Sequence, residues 1–473
     1  MKFSAGQLLR PTGTVDRGPY VIIGLLGFAI KHNLDRLVAW LAFHRPWDLF
    51  NYWVPIRNVA HITQLSRDEQ RFLACMMLLA LPFIWIGVVL TVQRLRSANL
   101  PPKLVALFFV PFANLAFFLF LSLIPQRDAG PKPAFGPHES WMERALPSSA
   151  LGSAAVSLVL TVSVGLGVAV FAARILRNYG WGLFVALPFV MGFVAAGLHG
   201  SRQPRRLASS IGVASLSVAL LGASLLALAV EGLVCLVMAI PIALPLAMMG
   251  GFCANRIQKR RWLQNDAPVF LSWLLFVVPG IEWMEHASPR PAPVFVVRTA
   301  LNVQAPPARV WSEVIAFTQI PAPKELMFRA GIAYPVRAEM IGTGIGAERH
   351  CVFSTGSFVE PIQVWDEPRL LKFAVTANPP PMQEWTPYTR IDPPHLHGFL
   401  VSEGGQFSLT PLPNGGTRLE GTTWYQHRLW PSAYWRLWSD AIIHQIHLRV
   451  LRHIREEAEL RTRGVSQAIG IQK

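Results

Sequence analysis

One apolar stretch, Ile211 to Phe252, runs for 42 residues with Glu231 as its only charged side chain. A helix crosses the roughly 30 Å hydrocarbon core of a bilayer in about 20 residues, so a run twice that long must fold back on itself. Glu231-Gly232 near its middle predicts a hairpin turn, and Pro241 and Pro245 follow in the second arm. Further runs of spanning length lie at Leu73 to Val92, Leu104 to Ile124, Leu151 to Ala173 and Gly180 to His199. These make six spans. Gly18 to Phe43 is a seventh candidate, but it carries Lys31, His32, Asn33, Asp35 and Arg36, and each charge at a bilayer centre costs about 2.5–3.5 kcal/mol. It crosses if those groups face other helices, with Lys31 and Asp35 paired at i,i+4; two interfacial half-helices account for it equally well. Ala267 to Ile281 is an eighth candidate, short of a full span before Glu282 and interrupted by Pro279.

Composition agrees with a chain partly in lipid: 52% of the 473 residues are hydrophobic and only 15% charged, against roughly 25% charged in soluble proteins. The net charge of +16 is concentrated before Ala292, where 25 basic residues face 12 acidic ones. That is the pattern of juxtamembrane arginines, whereas a nucleic-acid binder places its charge on a soluble face, so nucleic acid is discounted as a partner. Arg256, Lys259, Arg260 and Arg261, with Arg202, Arg205 and Arg206 one hairpin earlier, mark cytoplasmic loops. If Ala267 to Ile281 dips without crossing, everything after it is cytoplasmic, the favoured expectation; if it crosses, everything after it is outside. Met1 to Arg17 lacks a short apolar core with a small-residue cleavage site, so no cleaved signal peptide is expected. Cys75, Cys235, Cys253 and Cys351 have no C-x-x-C spacing and imply no disulfide framework.

After the stiff linker Ser288-Pro-Arg-Pro-Ala-Pro293 the texture becomes that of a soluble α+β domain. A strand is predicted at Val294 to Gln304 and a helix opening at Pro306. Further strands follow at Arg337 to Met340, Ala347 to Ser354, Ser357 to Trp365, Leu370 to Thr376, Gly398 to Ser402, Gln406 to Pro411 and Thr417 to His427. The residues from Pro431 to about Arg461 have no internal glycine or proline and carry apolar residues at threes and fours, which predicts one long amphipathic helix. The division is therefore residues 1–125 and 126–287 in two membrane segments, the linker 288–293, a domain at 294–461 and a tail at 462–473.

Ala305-Pro-Pro-Ala-Arg-Val-Trp311, Gly342-Thr-Gly-Ile-Gly346 before a strand, Trp365-Asp-Glu-Pro368 between strands and the terminal helix resemble the START-like SRPBCC superfamily, which includes polyketide cyclases and lipid and coenzyme-Q binders. The resemblance implies a helix-grip fold, an antiparallel sheet wrapped on a long C-terminal helix, enclosing an apolar ligand. Gly13-Thr-Val-Asp-Arg17 and Val92-Gln-Arg-Leu-Arg-Ser-Ala-Asn-Leu-Pro-Pro-Lys103 look like motifs of small YhaH-type proteins, and imply a bacterial inner membrane. In the latter, Arg96 stands at the family's histidine position and its tryptophan is absent.

Cavity candidates follow from period two on the last strand, which puts Leu419, Gly421, Thr423, Tyr425 and His427 on one face. Cys351, Phe353, Phe407 and Leu409 join them from other strands, and Trp435, Trp438 and Ile442 from the helix. The alternative is that they fill a closed core. Asp440, His444 and His447, at i, i+4 and i+7, make a stripe that could hold zinc or iron together with His427, or with His395 and His397, or simply form a polar flank. Gly342 to Gly346 precedes a strand and not a helix, so it is a turn and no dinucleotide loop. Glu403 and Glu420 lack a partner acid, and no G-x-S-x-G or H-E-x-x-H motif occurs. No cofactor is called for. Glu231, an acid within an apolar stretch, is a functional suspect or a residue of the interfacial turn. No inverted repeat suggests a transporter. Three readings stand: a membrane protein whose domain binds a lipid, quinone or polyketide-like molecule beside the bilayer; a cyclase or dehydratase-type enzyme using Tyr425, His427 or the Asp440 stripe; or a scaffold without a cavity.

Overall fold

The computed structural model describes residues 11–52, 67–109, 113–123, 147–258, 267–288, 291–388 and 391–470. Lys259 to Arg261 and, of the proline linker, Pro289 and Arg290 lie outside them. Among the described residues, five helical stretches are long and apolar enough to cross a membrane: Asp68–Ser97, Ala150–Leu176, Gly182–Gly200, Leu207–Ala227 and Leu233–Ile257. Their outward faces carry exposed apolar side chains such as Leu151, Ile175, Leu216, Val237 and Ile240. The predicted hairpin is present: α6 (Leu207–Ala227) turns at Glu231 into α7 (Leu233–Ile257). Ahead of them, α4 (Ala150–Val170, prolonged to Leu176 by a π-helical turn) starts on an N-cap, Ser149, that accepts from the Gly152 amide. Helix α5 (Leu187–Gly200) passes α7 so closely that a Cβ on Gly192 would lie 2.1 Å from the Ala247 carbonyl. Small residues at such crossings let membrane helices pack backbone to backbone.

Two further apolar runs are resolved by the structure. Within Leu104 to Ile124 the described residues form a 3₁₀ segment, Pro102–Phe109, and α3 (Ala113–Leu123), and the residues between them lie outside those described. Gly18 to Phe43 is one helix, α1 (Arg17–Phe43), with no break into halves. Lys31 and Asp35 pair on it, and the Tyr52 hydroxyl also donates to Asp35. Helix α2 (Arg67–Ser97) completes this part. Helix α8 (Ala267–Ala287) is likewise continuous through Pro279 for 21 residues, with Glu282 fully buried near its end.

The polar contacts sort the helix ends into two groups. At one end Arg205 donates to the Ser148 carbonyl, His199 lies between Ser153 and Ser209, Asn255 donates to Arg205 O and Gln258 to Ala196 O. At the other, Arg174 donates to Ala229 O and Val230 O, and Asn178 to Glu282. The arginine-rich loops and the Glu231 turn therefore occupy opposite ends of the bundle, and α8 ends at the Glu231 end.

The rest of the chain is a seven-stranded antiparallel sheet of order β1-β7-β6-β5-β4-β3-β2. Its strands are β1 (Val294–Val303), β2 (Pro335–Ile341), β3 (Glu348–Phe353), β4 (Gly356–Asp366), β5 (Leu370–Ala374), β6 (Leu400–Pro411) and β7 (Thr417–His427). Two short helices, α9 (Pro307–Ile315) and α10 (Leu326–Arg329), follow β1, and α11 (Ser432–Gly470) lies against β1, β2 and β7. This is a helix-grip arrangement. The two strands expected within Gly398 to Pro411 are one, because Glu403-Gly404-Gly405 is accommodated as a register shift between Ser402 and Gly404 and not as a turn. Asn414-Gly415-Gly416 does turn the β6–β7 hairpin, with Gly415 at φ +78°.

Candidate functional site

Between α11 and the sheet lies a cavity of about 110 Å³. Phe353, Phe358, Phe373 and Phe407 give it an aromatic wall, and Ile443, Ile446 and Val450 come from the helix. Its polar end is made by Arg349 and Glu360, directly opposed in the β3–β4 register. Arg349 is 2% exposed and bonds through Nη1 to Glu360 and through Nε to the Ile315 carbonyl at 3.2 Å. Its guanidinium carbon lies 5.4–5.6 Å from the ring centres of Phe317, Phe373 and Phe407. Nη2 has no hydrogen-bond partner among the described residues. Burial works against both charges. It raises the Glu360 carboxyl against the pull of Arg349, whereas in Arg349 the neighbouring carboxylate outweighs it and holds the proton on. Burial also pushes the Cys351 thiol up to about 12, so that side chain is an inert wall and not a nucleophile.

At the opposite wall Thr423 Oγ1 meets His447 Nε2 at 2.7 Å, His447 Nδ1 meets Thr299 Oγ1 at 3.1 Å, and Thr299 Oγ1 meets His444 Nδ1 at 2.8 Å. His444 is exposed, so the chain of hydrogen bonds leads from the cavity wall to solvent. Burial first and the neighbouring His444 second lower His447 to about 4, which keeps it neutral near pH 7.

Of the residues singled out from sequence, Cys351, Phe353, Phe407 and Thr423 line this cavity together with Gly421. Leu409 and Leu419 face each other across the β6–β7 pair in the closed core with Trp311 and Ile454. Tyr425 and His427 lie beside the cavity: the Tyr425 hydroxyl bonds to Ser439 and Asp440, and the His427 ring stacks on Phe295 at 5.1 Å, its pKa lowered by burial. Trp435 and Trp438 pack toward the membrane helices, Trp435 against Phe184 at 4.7 Å. Ile442 is half-buried, while the adjacent Ile443 faces the cavity. Asp440 is held by Tyr425 and Arg436, apart from the His447–Thr299–His444 chain. His397 pairs with Asp392 on the surface. Arg349 and Glu360 went unnoticed in the sequence, although period two from Cys351 and Phe353 reaches Arg349 on the same strand face.

A second polar cluster lies where the domain meets the Glu231 end of the bundle. The start of α7 has no side-chain cap of its own; Glu384, from the β5–β6 connection, supplies one by accepting from the Val234 amide at 3.1 Å and the Cys235 amide at 3.3 Å. A Cβ on Gly232 would lie 2.1 Å from the Glu384 carboxylate, so only glycine admits this approach. His395 lies between two acids, Nδ1 at 3.1 Å from Glu231 Oε2 and Nε2 at 3.4 Å from Glu384 Oε1, at ion-pair distance but off hydrogen-bonding angles. Burial would lower the His395 pKa, but the two carboxylates outweigh it and hold it at about 9. Tyr179 donates to Glu231 Oε1 at 2.6 Å. Trp430 N donates to Tyr179 O, and the Tyr434 hydroxyl to Met238 O.

No family model matches the chain, and no curated protein does. Solved structures similar to it include a protein from Nitrosospira multiformis (16% identity, 36% of this chain and 99% of that one, TM-score 0.23). A point mutant of norcoclaurine synthase from Thalictrum flavum with a transition-state analogue (11%, 37% and 99%, 0.25) is another. A third is the Zhui aromatase/cyclase from Streptomyces sp. R1128 (15%, 36% and 96%, 0.24).

Removing one member of a buried ion pair strands the other, at a cost of about 3–5 kcal/mol, whereas replacing both with apolar residues is close to neutral. Arg349→Met should therefore unfold at lower denaturant than the double variant Arg349→Met/Glu360→Leu, measured on the full chain in detergent. Because the folded pKa of His447 lies below its unfolded value of about 6.5, the unfolded chain binds more protons between pH 4 and 6.5. Stability is thus retained above about pH 6.5 and falls as pH drops toward 4; thermal melts at pH 7, 6, 5 and 4 should show a shallower acid decline in His447→Gln than in the wild type.

Proposed function

We propose that this chain is a bacterial membrane protein whose helix-grip domain binds the ring of a small, mostly apolar molecule carrying a carbonyl or similar acceptor, quinone-like or aromatic polyketide-like. The observation that carries this is the unpartnered Arg349 Nη2 at the polar end of an aromatic cavity. An apolar cavity of roughly 150 Å³ admits benzene, so about 110 Å³ suits one ring with slight adjustment and not a whole lipid. Glu360 already neutralises Arg349, so a neutral carbonyl suits Nη2 better than a full anion. Tethering at the bilayer keeps the cavity near a ligand concentrated in lipid.

The same reading turns the favoured topology around. Arginine-rich loops favour the cytoplasm. The domain docks on the Glu231 turn, at the other end of the bundle from Arg202, Arg205, Arg206 and Arg256, and so faces the outside of the inner membrane.

A second reading, acid–base catalysis on the bound ring, draws on the Thr423–His447–Thr299–His444 chain. Either sense of its hydrogen bonds can pass a proton between cavity and solvent.

Benzaldehyde and 1,4-benzoquinone should raise the melting temperature of the full chain in detergent, toluene should do so less, and Phe407→Trp should abolish the effect. The binding reading fails if none of the three acts on the wild type. For the topology, Leu326→Cys, at an 80% exposed site, should react in intact spheroplasts with a membrane-impermeant maleimide. Labelling only after lysis would restore a cytoplasmic domain.

A further inference from the structure

At the seam between bundle and domain, three different metal-ligand donors converge. Glu231 from the α6–α7 turn, Cys235 from the first turn of α7 and His395 from the β5–β6 connection place one ligand atom each within 4.8 Å of one another. Glu231 and His395 are each 6% exposed. Glu231 Oε2 and His395 Nδ1, which face each other at 3.1 Å, both lack a hydrogen-bond partner among the described residues.

The surroundings are those a metal shell needs. Tyr179 donates to Glu231 Oε1, which fixes the carboxylate and leaves Oε2 directed at the histidine. Glu384 Oε1 stands 3.4 Å from His395 Nε2, at ion-pair distance, so that nitrogen faces a carboxylate while Nδ1 faces Glu231. A carboxylate behind a ligating imidazole orients the ring and raises its basicity. Glu384 is itself held by the Val234 and Cys235 amides, so the backing group is anchored to the helix that carries the thiol.

We infer that Glu231, Cys235 and His395 form a site for a zinc-class divalent cation that joins the membrane bundle to the helix-grip domain. One thiolate, one imidazole and one carboxylate suit zinc in charge and softness. In a tetrahedral shell with bonds of 2.0–2.3 Å, ligand atoms lie roughly 3.3–3.6 Å apart, so the widest pair draws in by about 1 Å. Three protein donors leave a fourth position for water or an external ligand. Binding displaces the protons of Cys235 and of the His395 nitrogen, and the dication then balances Glu231 and the thiolate, with Glu384 left as the carboxylate behind the imidazole.

The test uses the full chain, purified in detergent without chelator and analysed for metals by mass spectrometry, before and after equilibration with zinc chloride and desalting. The wild type should hold about one zinc per chain, and Cys235→Ser and His395→Ala should retain at least tenfold less, whereas Cys253→Ser keeps it. Cys235→Ser changes one atom, and its elution as a monodisperse species of wild-type size separates loss of metal from loss of fold. Zinc-edge absorption should show one sulfur near 2.3 Å among nitrogen and oxygen ligands. A wild type that stays metal-free after zinc exposure, a Cys235→Ser variant that holds as much zinc as the wild type, or a spectrum without sulfur would each overturn the inference.

Discussion

The need to satisfy the backbone amides and carbonyls at helix ends governs the junction of the two halves. Hydrocarbon offers a helix terminus no hydrogen bonds, and each unsatisfied group there costs several kcal/mol. The first amides of α7 are met by Glu384, a carboxylate roughly 150 residues further along the chain, and the Leu233 amide by the Trp385 carbonyl. Arg174 and the Tyr388 hydroxyl take the carbonyls at the end of α6. The domain is therefore not tethered by its linker alone. It completes the backbone of the α6–α7 hairpin, and Glu231 and His395 share a buried contact that neither half provides by itself.

The same economy operates inside the grip. Arg349 and Glu360 are costly to bury, and a hydrophobic pair of similar volume would serve stability as well. What the pair adds is an oriented N–H at the end of an aromatic cavity, the kind of polar group that would fix the orientation of the proposed ligand. The histidine–threonine chain on the far wall adds a neutral imidazole that can accept or pass a proton. Most of the interior remains closed core around Trp311, Leu419 and Ile454, which keeps the open volume small.

Much of this was legible along the chain. The α6–α7 hairpin followed from a run too long for one crossing, and six of the seven strands from alternation and turn residues. Other features were not. Gly404-Gly405 reads as a turn in one dimension, but the strand continues because β5 and β7 flank it on both sides. Helical periodicity located the apolar stripe of α11 but not which part meets the cavity: Trp435 and Trp438 lie over the membrane helices, and Ile443, Ile446 and Val450 over the sheet. Arg349 shares a strand face with Cys351 and Phe353, but a buried charge gives no sign of its partner until β4 is laid beside β3.

The sequence by itself determined what depends on local periodicity and on length: which segments are apolar enough to enter lipid, and that an antiparallel sheet is closed by a long helix. Tertiary structure alone decided which polar groups meet. Glu231, Cys235, Glu384 and His395 come from two regions about 150 residues apart, and the end of the bundle on which the domain sits follows from those contacts and not from any one segment. Hydrophobic patterning acts on each segment separately, whereas pairing buried charges and capping a helix end depend on what the fold places within about 3 Å.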